Sequence, residues 1–207
     1  KRKTPSASAL PSRKDVSTIL QLLDSLYPDA RCSLDHSSPL ELLIATILSA
    51  QCTDVRVNQV TPALFRKYPS AASYADAPIE ALELDIRSTG FYRNKARSIQ
   101  SCCRILDDKY QGSVPADLEV LVELPGVGRK TANIVLNVSF KKEALAIDTH
   151  VHRLANRLGW VKTKTPDDTE FALMKILPPS LWGPVNGSMV EFGREICRPI
   201  GPKCNLC

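Results

Sequence analysis

Leu124-Pro125-Gly126-Val127-Gly128-Arg129-Lys130-Thr131-Ala132 puts a lysine on the first turn of an expected helix, and Asp148 follows 18 residues beyond it. An amine attacks an electrophile only when uncharged. The positive end of a helix dipole disfavours the ammonium form. A neutral amine can form a Schiff base, and a carboxylate can accept a proton or steady a developing positive charge. Plainer roles exist for both residues. Lys130 could contact a phosphate from the surface. Asp148 stands directly before Thr149-His150-Val151, where an N-cap is worth ~1 kcal/mol, and capping is compatible with chemistry.

These residues need a scaffold. A helix ending in Leu-Pro, a Gly-Val-Gly turn and a second helix read as a helix–hairpin–helix. Gly126 and Gly128 are expected to permit positive φ and close backbone approach, and Val127 to pack between the helices. The amides of the turn, with Arg129 and Lys130 beside them, make an anion site suited to phosphates. Such contacts hold DNA in register without reading its sequence. An ordinary αα-turn also favours glycine; the adjoining basic residues tip the reading toward DNA.

The net charge of +5 is local. Lys1, Arg2, Lys3, Arg13 and Lys14 supply it, and the rest of the chain carries 22 basic and 22 acidic residues. Residues 1–14, rich in Lys, Arg, Ser and Pro, read as a flexible basic arm. Nucleic-acid affinity elsewhere must come from clustering. Two acid-free stretches offer it, one with Arg87, Arg93, Lys95 and Arg97, the other with Arg129, Lys130, Lys141 and Lys142. No apolar run is long enough for a membrane span, and no secretory signal pattern precedes the first helix-like segment. The chain opens at Lys1 without a methionine, as expected of a trimmed fragment. Seven cysteines without a secreted-scaffold pattern point to reduced, intracellular thiols; bacterial cytoplasm and nucleus are not distinguished.

Periodicity gives an all-α fold of roughly ten helices with frequent Pro or Gly breaks. Helices are expected from Asp15 to before Pro28, from Pro39 through Leu48, and from Thr53 or Asp54 to about Lys67. Short pieces follow Pro69 and Pro78, and a long helix covers roughly Tyr92 to Tyr110. A short helix starts at Pro115. Others span Arg129–Phe140, Thr149–Leu158, Pro166–Leu177 and about Leu181–Ile196. Ala144 to Ile147 is too isolated to build a sheet. His150 and His152, two apart on a helix, point different ways and share no metal.

Cys197-x6-Cys204-x2-Cys207 has metal-type spacing, and Pro199, Gly201 and Pro202 make the segment between a loop. Three thiolates are one short of a four-thiolate site. An iron–sulfur cluster, zinc and free thiols all remain open on spacing alone. Cys102, Cys103, Cys32 and Cys52 are expected to be buried structural thiols.

Taken together, Leu124 to Asn133 and Ile147-Asp148-Thr149-His150-Val151 resemble the endonuclease III family of DNA glycosylases. Leu48-Ser49-Ala50-Gln51-Cys52-Thr53-Asp54 and Thr89-Gly90-Phe91-Tyr92-Arg93-Asn94-Lys95-Ala96 resemble two further motifs of that family. The resemblance runs from about Ser17 to Cys207. It implies two helical subdomains with a cleft between them. Residues 32–142 would form a helical barrel subdomain carrying the hairpin, and residues 15–31 plus 143–207 a second one ending in a cysteine cluster loop. It implies Lys130 as the amine nucleophile and Asp148 as the catalytic carboxylate, facing one another across the cleft. Gln51 matches a residue that fills the gap left by an extruded base. Phe91 matches a wedge beside the opposite strand, where family members often carry an aliphatic residue. Cys197, Cys204 and Cys207 match ligands of a [4Fe–4S] cluster whose fourth cysteine is absent from the chain. Arg194, Arg198 and Lys203 would then lie on an ordered basic loop.

The implied activity is a bifunctional DNA glycosylase/AP lyase acting as a monomer on double-stranded DNA with a damaged base or abasic site. It would remove oxidised pyrimidines and cut 3′ to the abasic site by β-elimination. The chemistry itself requires no nucleotide cofactor or divalent metal. The alternatives are a non-catalytic helix–hairpin–helix DNA-binding module, a cluster-based electron-transfer protein, and a superfamily glycosylase for a mismatch or a purine lesion.

Overall fold

The computed structural model describes residues 13–207. Eleven α-helices and three short 3-10 turns make up its regular structure, and no strand occurs among the described residues. Residues 1–12 of the expected basic arm lie outside the described residues; positions 13 and 14 open the first helix, α1 (Arg13–Leu26). Among the described residues, no helix is long and apolar enough to cross a membrane. The chain divides into two compact units. One is Cys32–Ala144; the other combines α1 and its continuation to Arg31 with Leu145–Cys207.

In the first unit, α2 (Pro39–Leu48) is the central element. The Ser38 hydroxyl accepts from the Glu41 amide, Pro39 sits where a missing N–H costs nothing, and Leu42 through Leu48 are all buried. A helix apolar on every side has no face for water and must sit inside. Each of its fully buried leucines stabilises the unit by roughly 1.5–3 kcal/mol. Thr53 caps α3 (Asp54–Lys67), accepting from the Arg56 amide at 3.3 Å. The short α4 (Ala71–Ala75), α5 (Ile79–Asp85) and a 3-10 turn at Arg87–Thr89 lead into the long α6 (Tyr92–Tyr110). The buried stripe of α6 holds Ala96, Ile99, Cys102, Cys103 and Leu106, and Lys95 falls on it too.

The helix expected from Pro115 begins later, as α7 (Leu118–Val122). Asp117 supplies what Pro115 lacks, an acceptor side chain for the first turn, and it takes the Val120 amide at 3.1 Å. The next helix, α8 (Arg129–Phe140), packs on α2 and α7. Cys102 and Cys103 are buried, whereas Cys32 and Cys52, expected to be buried too, are only half so. Burial pushes the Cys102 thiol up to about 12 and that of Cys103 further still, which makes both inert at neutral pH.

In the second unit, Val16, Leu20 and Leu23 of α1 join a core with Val151 and Leu154 of α9 (Thr149–Arg157), Leu173 of α10 (Pro166–Ile176) and Met189 of α11 (Trp182–Glu195). Trp160 lies in the same core at 1% exposure. The segment Leu145–Ile147 is buried but not a strand; the Asn186 amide donates to the Ala146 carbonyl at 2.9 Å and fixes the approach to α9.

Candidate active site

The hairpin is built on close packing. Gly126 has φ +80°, and a Cβ there would lie 2.8 Å from the Ser98 Cβ on α6. Conformation and contact both demand glycine. Val127 is buried, and its amide donates to the Leu124 carbonyl at 3.0 Å, closing the turn. Gly128 departs from expectation. Its backbone is extended, with φ −90° and ψ 172°, so it needs no positive φ. Open space lies around it instead, with no atom within 4 Å of where a Cβ would stand. No side chain caps α8. Gly128 at the cap position thus offers the first-turn N–H groups no side-chain acceptor. Arg129 is half-buried and Lys130 exposed beside this open turn.

The Lys130 ammonium makes no hydrogen bond or ion pair among the described residues. Its charge is felt by Cys32. Burial raises that thiol first, a hydrogen bond at Leu34 lowers it, Asp54 raises it, and Lys130 lowers it. In the other unit, Asp148 caps α9. A single carboxylate oxygen, Oδ1, accepts from the amides of His150 and Val151, both at 2.8 Å. Its second oxygen takes no hydrogen bond among the described residues. His150 accepts from Arg153 at 3.1 Å, while His152 bonds to Thr169 at 2.6 Å.

Gln51 and Phe91 share an uncommon state. Both are non-glycine residues in the left-handed region, with φ 52° and 47°, and both are exposed, Phe91 by 62%. Left-handed backbone at such residues persists only where surrounding structure enforces it. Gly90, with φ +70° and ψ 158°, occupies a region open essentially to glycine alone and sets up the turn.

Lys95 was expected to add to a basic surface, and it does not. It is 5% exposed, and its Nζ donates to the carbonyls of Leu48 at 2.7 Å and Thr89 at 2.8 Å. Burial pushes its ammonium below the usual lysine value, and Cys52 opposes the fall. Arg93 is also engaged, with Glu83 at 3.8 Å and against the Tyr92 ring. The sequence held one signal for Lys95: its position on the apolar stripe of α6.

The cysteine loop is organised from α9. Arg153 donates to the carbonyls of Cys197 and Gly193, both at 3.0 Å. Arg157 donates to the Cys197 sulfur at 3.4 Å and to the carbonyls of Arg198 and Pro199. The Lys203 amide closes the loop onto the Ile196 carbonyl at 2.9 Å, next to Cys197 and Cys204. Cys204 and Cys207 are exposed. Three soft thiols, one already receiving an N–H···S bond, fit a thiolate-bound centre by donor chemistry. Among the described residues, no three His, Cys, Asp or Glu side chains converge into a metal-binding group. Arg194, one of the expected basic positions, pairs with Glu191 at 2.9 Å. The two α9 arginines carry no motif that sequence reading could have caught.

The HhH-GPD superfamily of base excision DNA repair proteins matches residues 44–179. An endonuclease III of Thermotoga maritima is 55% identical over 172 residues, covering 83% of this chain and 81% of its own. A solved non-covalent endonuclease III–DNA complex matches with a TM-score of 0.91 and 47% identity, covering 96% of this chain and 93% of that one. A trapped endonuclease III–DNA covalent intermediate, an estranged-adenine complex, matches with the same TM-score of 0.91. The chain belongs to the endonuclease III family, within the HhH-GPD superfamily.

Proposed function

We propose that the protein is a bifunctional DNA glycosylase and AP lyase of base excision repair, acting on oxidised pyrimidines in duplex DNA. The observation that carries this reading is Lys130. It is exposed, free of hydrogen-bonding partners among the described residues, and set on the first turn of an uncapped helix beside an open glycine turn. The likeness to an endonuclease III trapped covalently on DNA supports a covalent route.

The base must leave the stack first, at a cost of a few kcal/mol that damage reduces. The Lys130 lone pair forms a bond to C1′ as the glycosidic bond breaks, and the departing base takes up a proton. Asp148 accepts the proton that the amine loses and stabilises positive charge on the sugar. Opening of the ring at O4′, whose oxygen takes up that proton, leaves a protonated Schiff base. Loss of a C2′ proton then expels the 3′ phosphate oxygen. Water releases the unsaturated aldehyde and restores the amine. Phosphates rest against the first-turn amides of α8, with Gly126, Val127, Gly128 and Arg129 shaping the contact. Gln51 fills the vacated space and Phe91 wedges the opposite strand.

Cys197, Cys204 and Cys207 would hold a [4Fe–4S] cluster as three of its four thiolates. Such a cluster supplies a structural tie across the loop, and Arg153 and Arg157 hold that loop from α9.

Borohydride reduction tests the reading directly. The protein is expected to become covalently trapped on duplex DNA with an abasic site, and Lys130→Ala to abolish trapping while DNA binding persists. Undiminished trapping by Lys130→Ala would remove that amine from the nucleophile role.

A further inference from the structure

We propose that Lys95 is a positioning residue for base eversion, fixing the turns that carry Gln51 and Phe91 so that both side chains present to the duplex together. The proposal rests on the reading of those two residues given above. Its own basis is the hydrogen bonding of one buried ammonium. Leu48 ends α2, three residues before Gln51, and its carbonyl is one of those a helix end leaves without an internal donor. Thr89 ends the 3-10 turn, two residues before Phe91. Lys95 Nζ donates to both carbonyls, at 2.7 and 2.8 Å. The backbone N–H of Lys95 also donates to the Phe91 carbonyl at 3.1 Å. Phe91 is thus held from both sides by a single residue.

An apolar side chain would pack on this stripe of α6 without difficulty, as Ala96 and Ile99 do. A buried lysine is costly unless its protons are used. Here two are spent on carbonyls from separate segments, each two or three residues before a residue in left-handed backbone. Those segments are joined at no other point by a side-chain hydrogen bond among the described residues. Loss of the ammonium leaves two buried acceptors without a donor. The backbone would turn them toward water and carry Gln51 and Phe91 out of register.

The test compares Lys95→Met, of similar length but without donors, with the wild-type full chain on two substrates. One is a duplex with an oxidised pyrimidine, bearing 2-aminopurine opposite the lesion to report unstacking. The other is single-stranded DNA with an abasic site, which needs no wedge and reports Lys130 alone. Expected are a tenfold or greater loss of base release and of the 2-aminopurine signal on duplex, with borohydride trapping on the single strand within twofold of wild type. That trapping also counts the folded molecules. In a Gln51→Ala/Phe91→Ala background, Lys95→Met should add less than a twofold loss on duplex. Lys95→Gln, which keeps an N–H donor but is too short to serve both carbonyls, should fall between; it carries the test if Lys95→Met does not fold. Equal losses on both substrates, or a full further loss in the double background, would make Lys95 merely structural and overturn the proposal. If Gln51→Ala/Phe91→Ala alone leaves duplex base release unchanged, the reading of those two side chains fails. If that pair slows release and Lys95→Met does not, only the Lys95 assignment fails.

Discussion

The helices α8 and α9 face the same backbone problem and solve it in opposite ways. Each begins with N–H groups that the helix cannot satisfy. At α9 the solution is internal, because Asp148 accepts two of those N–H groups through one oxygen. At α8 it is withheld, since Gly128 has no side chain and the next two residues are basic. The first arrangement stabilises the fold. The second leaves the cap position without a side-chain acceptor and the exposed Lys130 charge beside it, at some cost to the helix. In the reading proposed above, the incomplete end meets phosphate and the complete end holds a carboxylate still.

Three substitutions probe that contrast. The largest effect is expected from Asp148→Asn. Asparagine caps about as well as aspartate, so thermal stability should hardly change, while base release slows about 100-fold through loss of the carboxylate. A fall in melting temperature with normal base release by the folded fraction would reduce Asp148 to a cap.

Gly126→Ala should follow. Its left-handed backbone and the 2.8 Å approach to Ser98 predict a stability loss of roughly 1–3 kcal/mol in urea unfolding. An unchanged midpoint would show that the hairpin turn yields to a methyl group. The smallest effect is expected from Gly128→Asp, which gives α8 the cap it lacks. Stability should rise by a few tenths of a kcal/mol. Affinity for duplex should fall, and the slope of log affinity against log salt should shrink by about one phosphate contact. An unchanged slope would mean that no phosphate uses this helix end.

Most of the scaffold was legible because its signals are local. Pro39, Thr53 and Pro166 mark helix starts that depend on a few neighbouring residues. The Gly-Val-Gly turn with its basic flank is equally local, although Gly128 turned out to serve by leaving space rather than by adopting positive φ. What stayed hidden is tertiary. Lys95 read as one more charge in a basic stretch because nothing nearby in sequence reveals that Leu48 and Thr89 offer it carbonyls. Arg153 and Arg157 carry no local signal of their role, because their partners lie some forty residues away in the cysteine loop. Asp117 lost to Pro115 as a helix start because proline is the louder mark, while a carboxylate with a reachable amide makes the better cap.

The burial of α2 on every side has a mechanical consequence. Any side chain driven into stacked bases meets a restoring force, and a loop alone would recoil. Gln51 lies three residues beyond a helix whose last seven residues are all buried. If Gln51 acts as proposed, its push passes into that hydrophobic interior as well as into the turn that delivers it.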